Sequence, residues 1–413
     1  MSPGVSCANN RPAVTALAGP IADSERVRWI DALRGFALLG IIVANLESSM
    51  LRFLLPGKGH DLGPLASLNV PFEFFESALI QGKFYSIFSF LFGLGFSIQM
   101  MRAAERGGEF GAFFRRRLAA LLLIGVVHAF IWLGDILTLY ALCGFVLLPF
   151  RTRSDRTVLW WAFGFLVAPV AVYAALALVS GHAATNDRPL PFDLAEIARR
   201  MTRGTVFEYL ATNAFALLFR WYDLIISLRP AKVMGMFLLG LWTGRRMLHT
   251  AIELQRPLLA RLALIGLPLG LVAAGLLGWA DHRGMYYEAS ASGVAYAAIY
   301  CVGTHLLAIG YIAAFLLLWI GRGRAVLTHF EPVGRLALSN YLFQTACIVL
   351  LLNSPGFGLA LTLPVWTCLP IGLAIFAVQR VVSGLWGARH RYGPAEWVWR
   401  RMTYGGAFAR VRA

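Results

Sequence analysis

Apolar runs recur along this chain of 413 residues, and several reach the roughly 20 residues that a helix needs to cross a bilayer. Hydrophobic residues make up 58% of the sequence and charged residues 14%, with a mean hydropathy of +0.66. A water-soluble protein of this length carries far more surface charge. The sequence therefore predicts an all-α fold, a polytopic bundle of transmembrane helices.

About ten spans are predicted from the apolar runs. The segment 206–228 is also apolar, but it contains Glu208, Arg220 and Asp223. It is interpreted as an interfacial or re-entrant helix, with an eleventh span as the alternative. The ten predicted spans are 29–51, 77–101, 118–134, 136–150, 157–180, 230–244, 259–280, 291–320, 336–353 and 359–383.

The net charge of +16 does not indicate nucleic-acid binding. Of the 37 basic residues 34 are arginines, and most fall in short segments between apolar runs on one predicted side. This asymmetry is typical of cytoplasmic segments. It predicts a multi-pass membrane protein, in contact with membrane lipids, with both termini in the cytoplasm. The predicted parts are a disordered tail (1–28), an N-terminal membrane half (29–229), a C-terminal membrane half (230–383) and a basic, aromatic tail (384–413).

An acid and a base lie one turn inside the first span. Asp31 and Arg34 share a helix face at spacing i, i+3, where they can form an ion pair. Ionisable residues at membrane depth are costly and usually serve a function. The pair therefore predicts a polar chamber near the cytoplasmic mouth.

The second span combines small residues with a lysine. Gly82, Ser86, Ser89 and Gly93 recur at spacings of three and four, which is typical of closely packed helices. Lys83 is interpreted either as a residue that binds substrate or cofactor or as one that extends to the outer interface.

His128 and Asp135 are the candidate catalytic residues. They are seven positions apart, and Gly134 is expected to end the first helix and leave Asp135 to cap the next. Either a continuous or a broken helix keeps the carboxylate near the imidazole. Such a pair can remove a proton. The alternative is a histidine hydrogen-bonded within the core, with a capping aspartate.

The span that begins near residue 336 is unusually polar. Arg335 precedes it, and Asn340 and Gln344 lie within its first turns. This density predicts a helix that faces the bundle interior or a hydrated cavity. All three residues are therefore candidates for substrate or cofactor binding.

No phosphate-binding loop, nucleophile elbow or zinc-binding spacing occurs in the sequence. The five cysteines lack any ligand spacing and are interpreted as small apolar residues. Neither a metal nor a permanently bound cofactor is expected.

Several segments taken together resemble the YeiB-like bacterial inner-membrane family, a domain of unknown function. The matching segments are D-A-L-R-G-F-A-L-L-G-I-I-V-A-N (31–45), 83–95, 125–140 with its G-D-I-L, G-R-L-A-L-S-N-Y-L-F-Q (334–344) and G-P-A-E-W (393–397). This family is similar to the transmembrane acyltransferase superfamily, which shares a D-x-x-R-G opening and moves acyl groups from coenzyme A to acceptors across the membrane.

The resemblance implies acyl transfer, with acyl-CoA as co-substrate and a small molecule or glycan as acceptor. Arg34, with Arg115 to Arg117 on the same side, would bind the phosphates. His128, chosen by its chemistry and oriented by Asp135, would deprotonate the acceptor. Two alternatives remain open. The protein could be a transporter or lipid-handling protein without covalent chemistry, or a scaffold whose polar groups only specify helix pairing.

Overall fold

The computed structural model of the protein describes residues 27–51, 65–105, 109–180, 193–247 and 251–405. Within these ranges the chain is predominantly helical and has no β-strand, so the all-α prediction is confirmed. Most of the predicted N-terminal tail, 1–26, and the last residues, 406–413, lie outside the described ranges. The helices are α1 (Arg28–Ser48), α2 (Asn69–Leu79), α3 (Lys83–Glu105), α4 (Phe110–Ile131), α5 (Leu137–Leu147), α6 (Asp155–Ser180), α7 (Leu194–Arg203), α8 (Val206–Ile226), α9 (Arg229–Met247), α10 (Arg256–His282), α11 (Ala291–Tyr300), α12 (Leu307–Ile320), α13 (Arg324–Leu327), α14 (Glu331–Arg335), α15 (Ala337–Leu352), α16 (Cys368–Arg389) and α17 (Pro394–Tyr404).

Fewer helices are long and apolar enough to cross a bilayer than the ten predicted spans. In the described residues six helical stretches are long and apolar enough to cross a bilayer, and eight are if two sharply bent helix pairs each count as one span. The predicted count of about ten is therefore not confirmed. Two predicted spans coincide with α5, of 11 residues, and α15, of 16 residues. At about 1.5 Å per residue neither helix alone crosses about 30 Å of hydrocarbon.

The ambiguous segment 206–228 forms α8 and a sharp break. Leu228 adopts a left-handed conformation with φ of 47°, and the axes of α8 and α9 differ by 60°. The segment 206–228 and the predicted span 230–244 therefore form one bent helix pair. The turn between α8 and α9 lies within 206–228, at Leu228.

Close packing of α3 against α9 confirms the interpretation of the small-residue stripe. Ser86 and Ser89 are fully buried. A Cβ atom on Gly93 would overlap the carbonyl oxygen of Phe237, and one on Gly240 would overlap that of Phe90. The glycines thus let the two backbones touch, as small residues do in membrane helix pairs.

The first membrane helix is held in the same way. A Cβ atom on Gly334 would overlap the carbonyl oxygen of Asp31, and one on Gly35 would overlap that of Phe330. Helix α14 therefore lies directly against the turn of α1 that carries the predicted ion pair.

Candidate functional site

One large cavity runs through the described part of the bundle. Its volume is about 1180 Å³, and its wall includes residues from both ends of the long helices. The middle of the cavity is apolar, with Phe84, Phe88, Leu91 and Phe92 on its wall. The two ends are polar: arginines line one of them, and tyrosines with charged residues line the other.

The first end, which we call the basic mouth, contains the predicted pair. Arg34 Nη1 lies 2.9 Å from Asp31 Oδ1, and the exposed fractions of the two side chains are 30% and 14%. The pairing that the i, i+3 spacing predicts is therefore confirmed, and both residues border the cavity. The arginines of the basic mouth are Arg34, Arg102, Arg117, Arg335 and Arg400.

Arg117 is fixed in the basic mouth by an aromatic residue. Its guanidinium carbon lies 3.6 Å from the ring centroid of Trp399, within the range of a cation–π contact. The indole Nε1 of Trp399 donates a hydrogen bond of 2.9 Å to the Arg117 carbonyl oxygen. This double contact connects α17 to α4 and orients one guanidinium at the cavity.

The segment G-P-A-E-W has a structural role that sequence reasoning missed. Glu396 accepts hydrogen bonds from the backbone N–H groups of Leu338 and Ser339, at 2.7 and 3.1 Å, and from the Ser339 hydroxyl. These N–H groups open α15 and would otherwise be unpaired. A glutamate 57 positions away satisfies them, which no local capping rule could predict.

Asn340 and Gln344 do not border the cavity. Asn340 Nδ2 donates to the Val333 carbonyl at 3.0 Å, and Gln344 Nε2 donates to the Leu38 carbonyl and the Gln379 amide oxygen, at 3.1 and 3.0 Å. Both side chains belong to a buried network that connects α15 to α1 and α16. The interior position of this helix face is confirmed, while the two amides lie among helices.

Lys83 is completely buried, so it does not extend to an interface. Its Nζ atom donates a hydrogen bond of 2.6 Å to the Ser77 carbonyl oxygen. Its neighbours Gln81 and Gly82 border the cavity, but Lys83 does not. The lysine therefore lies behind the wall and holds the turn between α2 and α3.

The His128–Asp135 contact exists as the sequence predicts. Nδ1 of His128 lies 2.7 Å from Asp135 Oδ1, and the Asp135 carboxylate also accepts the N–H groups of Leu137 and Thr138 at the start of α5. The helix break and the capping aspartate are both confirmed. Nε2 of His128 lies 2.9 Å from the Thr345 hydroxyl, so both ring nitrogens have partners.

This pair does not reach the cavity. Both residues are more than nine-tenths buried, and the residues that border the cavity at this level are Trp132, Gly134 and Tyr341. The imidazole packs against the ring of Tyr341, with the two centroids 5.2 Å apart and the ring planes inclined by 51°. The contacts of the pair are therefore those of the alternative interpretation, a histidine satisfied within the core.

The second end, which we call the tyrosine chamber, was not found from the sequence. Five tyrosines from three parts of the chain border it: Tyr85, Tyr286, Tyr287, Tyr296 and Tyr300. Charged residues from α2, α8, α9 and α10 lie among them. In the sequence, only the charged residues of 206–228 indicate this chamber. The tyrosines are spread from Tyr85 to Tyr300 and have no shared spacing.

The sequence is similar to known proteins over most of its length. Residues 243–406 match the family described as "Protein of unknown function (DUF418)". The chain is 31% identical to the "Uncharacterized protein YxaH" of Bacillus subtilis (strain 168), over 93% of this chain and 96% of that protein. It is 31% identical to the "Uncharacterized 39.9 kDa protein in amylase 3'region" of Bacillus acidopullulyticus, over 94% and 97%. It is 28% identical to the "Uncharacterized protein YeiB" of Escherichia coli (strain K12), over 92% and 96%.

The long apolar helices define a helical membrane protein, which contains a cavity with two polar ends. Because the similarity covers nearly the whole chain and nearly the whole of each relative, the protein belongs to the YeiB-like family, whose members share a domain of unknown function.

Proposed function

We propose that the protein is a membrane acyltransferase, which binds acyl-CoA at the basic mouth and transfers the acyl group to an acceptor that enters from the tyrosine chamber. The observation that carries the proposal is the single cavity that connects five arginines to a second polar end. In the transfer, the acceptor oxygen or nitrogen attacks the thioester carbonyl and forms the new bond to carbon. A base takes the acceptor proton, the carbon–sulfur bond breaks, and the base passes this proton to the sulfur, so that coenzyme A leaves as the thiol.

The chemistry of the basic mouth supports a phosphate-rich ligand. A guanidinium group presents a planar fork of donors that matches phosphate oxygens. Arg34 is oriented by Asp31 and Arg117 by Trp399, so two of the forks are held before ligand binds. The apolar middle of the cavity suits the uncharged pantetheine arm and the acyl chain that follow the phosphates.

His128 is the predicted base, and it lies behind the cavity wall. A direct role for His128 requires Nε2 to exchange its contact with Thr345 for one with the acceptor. The catalytic assignment of His128 and Asp135 therefore stays a prediction. The tyrosine chamber provides another acceptor of a proton, the carboxylate of Glu76. This residue is 3% exposed and borders the cavity.

The proposed orientation places the basic mouth in the cytoplasm, where coenzyme A is found, together with both termini. The positive-inside rule supports this orientation, since the arginines of the mouth and the Arg245–Arg246 pair that ends α9 would share that side. The acceptor, a small molecule or glycan, would then be reached from the opposite face of the bacterial inner membrane.

Calorimetry on the purified full-length chain in detergent tests the proposal. Acetyl-CoA should bind, and Arg34→Gln and Arg117→Gln should each weaken binding about tenfold, because a hydrogen bond to a charged group contributes about 1.5–3 kcal/mol. Arg246→Gln is the matched control, since Arg246 is exposed and pairs with Asp155 away from the cavity. No heat of binding from acetyl-CoA, or equal affinity in all variants, would reject the acyltransferase.

One observation favours a second function. The α8–α9 pair is bent by 60° beside the cavity, and broken helices border the substrate sites of many transporters. A transporter would move substrate into proteoliposomes under a proton gradient without consuming acetyl-CoA. Such uptake, with no transfer of a radiolabelled acetyl group, would decide for transport.

A further inference from the structure

The break between α8 and α9 gathers charges that the proposed function does not use. Arg220 and Asp223 lie in the last turns of α8, and Arg229 and Lys232 lie in the first turn of α9. All four residues border the cavity at the tyrosine chamber. The left-handed conformation of Leu228 is unfavourable for a leucine. The packing of the surrounding helices must therefore hold this turn in place.

The cluster carries more positive charge than its own carboxylate can balance. Asp223 Oδ2 lies 3.2 Å from Arg220 Nη1 and 4.0 Å from Arg229 Nη2. Its other oxygen accepts a hydrogen bond of 2.6 Å from the Tyr286 hydroxyl. Asp135, the next carboxylate toward Arg220, is already occupied by His128 and by the N–H groups of α5.

The third cation is held by tyrosines. Nζ of Lys232 donates a hydrogen bond of 2.9 Å to the Tyr287 hydroxyl and lies 4.0 Å from the ring centroid of Tyr300. Among the described residues, Asp223 therefore pairs with Arg220 and Arg229, and the contacts of Lys232 are with tyrosines.

Two donors of this cluster are unused. The Nε atoms of Arg220 and Arg229 are buried and form no hydrogen bond with the described residues. A buried guanidinium N–H without a partner is costly, and both residues face the cavity. Two guanidinium groups and an excess of positive charge favour the binding of a tetrahedral oxyanion such as phosphate.

The cavity at this level also meets the apolar outside of the bundle. Phe215 and Phe219 of α8 border the cavity, and their exposed fractions are 47% and 43%. On the same helix Leu218 and Ile225 are exposed apolar residues. An amphiphile could therefore lay its chains along α8 while its polar group reaches the break.

We propose that the α8–α9 break binds the phosphodiester headgroup of an anionic membrane lipid, with Arg220, Arg229 and Lys232 around the phosphate. The assignment is independent of acyl transfer. It requires only that the phosphate enters past Phe215 and Phe219 and reaches the guanidinium groups of Arg220 and Arg229, which border the cavity.

Native mass spectrometry of the delipidated full-length protein tests the site. Dioleoyl-phosphatidylglycerol should bind at least about tenfold more tightly than dioleoylglycerol, which has the same chains and no phosphate. The double variant R220Q/R229Q should lose this difference, and R246Q, an exposed arginine elsewhere, should keep it. Equal binding of the two lipids, or an unchanged preference in R220Q/R229Q, overturns the proposal.

A second variant keeps the test decisive if the double variant does not fold. Asp223→Asn removes the carboxylate that competes for the cations, so the preference for phosphatidylglycerol should rise rather than fall. A lower preference in a folded D223N protein contradicts the proposed role of the cluster. Inorganic phosphate is the third probe: if it binds with the same dependence on these variants while phosphatidylglycerol does not, the ligand is soluble and the lipid assignment is wrong.

Discussion

The basic mouth and the tyrosine chamber lie at the two ends of one cavity, but the chain builds them differently. The mouth begins from a local pair, Asp31 and Arg34, that one helix turn brings together. The chamber takes its residues from helices that are far apart in sequence, with tyrosines between Tyr85 and Tyr300. Local spacing predicts the pair from which the mouth begins, whereas the tyrosine chamber and the other arginines of the mouth come together only after the helices are packed.

The comparison also separates polar residues that face the cavity from those that support it. Arg34 and Arg229 border the cavity, while His128 and Gln344 are buried behind it with their hydrogen bonds directed to other helices. A polar residue inside a membrane helix therefore indicates an interior position. It does not distinguish a ligand contact from a bond between helices.

The largest expected effect is at Gly334, where the basic mouth depends on contact between two backbones. Gly334→Ala would place a methyl group on the Asp31 carbonyl oxygen, and overpacking of this kind costs about 3 kcal/mol. We expect a lower unfolding midpoint in detergent and loss of acetyl-CoA binding. Gly387→Ala is the control, because nothing lies within 4 Å of its Cβ position. A G334A protein as stable as G387A would show that the mouth tolerates separation of α1 and α14.

The His128–Asp135 pair should affect stability more than ligand binding. Asp135→Ala leaves the imidazole and two N–H groups without an acceptor, which should cost about 2–3 kcal/mol. We expect a lower unfolding midpoint and an unchanged affinity for acetyl-CoA. His128→Gln separates the roles further. If this variant is stable and binds acetyl-CoA but transfers no acetyl group, the predicted catalytic role is right.

These residues show how far the sequence alone determines the site. The helical class, the Asp31–Arg34 pair and the contact of His128 with Asp135 follow from composition and spacing, because each depends on neighbours within about two turns. The capping of α15 by Glu396 and the tyrosine chamber depend on contacts between distant segments. The predicted number of spans is not confirmed for a related reason: an apolar run can form a helix as short as α5, and composition alone does not reveal where a helix ends.

A smaller effect is expected at Gly82, the counterpart of Gly334 at the chamber. Its φ of 82° is left-handed, and a Cβ atom there would lie 2.6 Å from the Tyr300 hydroxyl oxygen. Gly82→Ala should cost about 1–2 kcal/mol and weaken phosphatidylglycerol binding while acetyl-CoA still binds. Equal losses of both ligands would mean that the two ends of the cavity are not independent.

The smallest effect is expected at Glu196 on α7, the helix from which Leu194 and Ile197 border the cavity. Hydrogen bonds from Arg199 and Arg200 lower the pKa of the Glu196 carboxyl from 4.5 to about 2. Because the pKa is lower in the folded state, the stabilisation is present above pH 4.5 and disappears as the pH falls toward 2. The group is exposed, so solvent screens most of this contribution. Unfolding midpoints of Glu196→Gln and the unsubstituted protein should differ little at pH 7 and should converge below pH 4.5, with both ligands bound equally. A large difference at pH 7, or a change in the binding of only one ligand, would mean that α7 takes part in one end of the cavity.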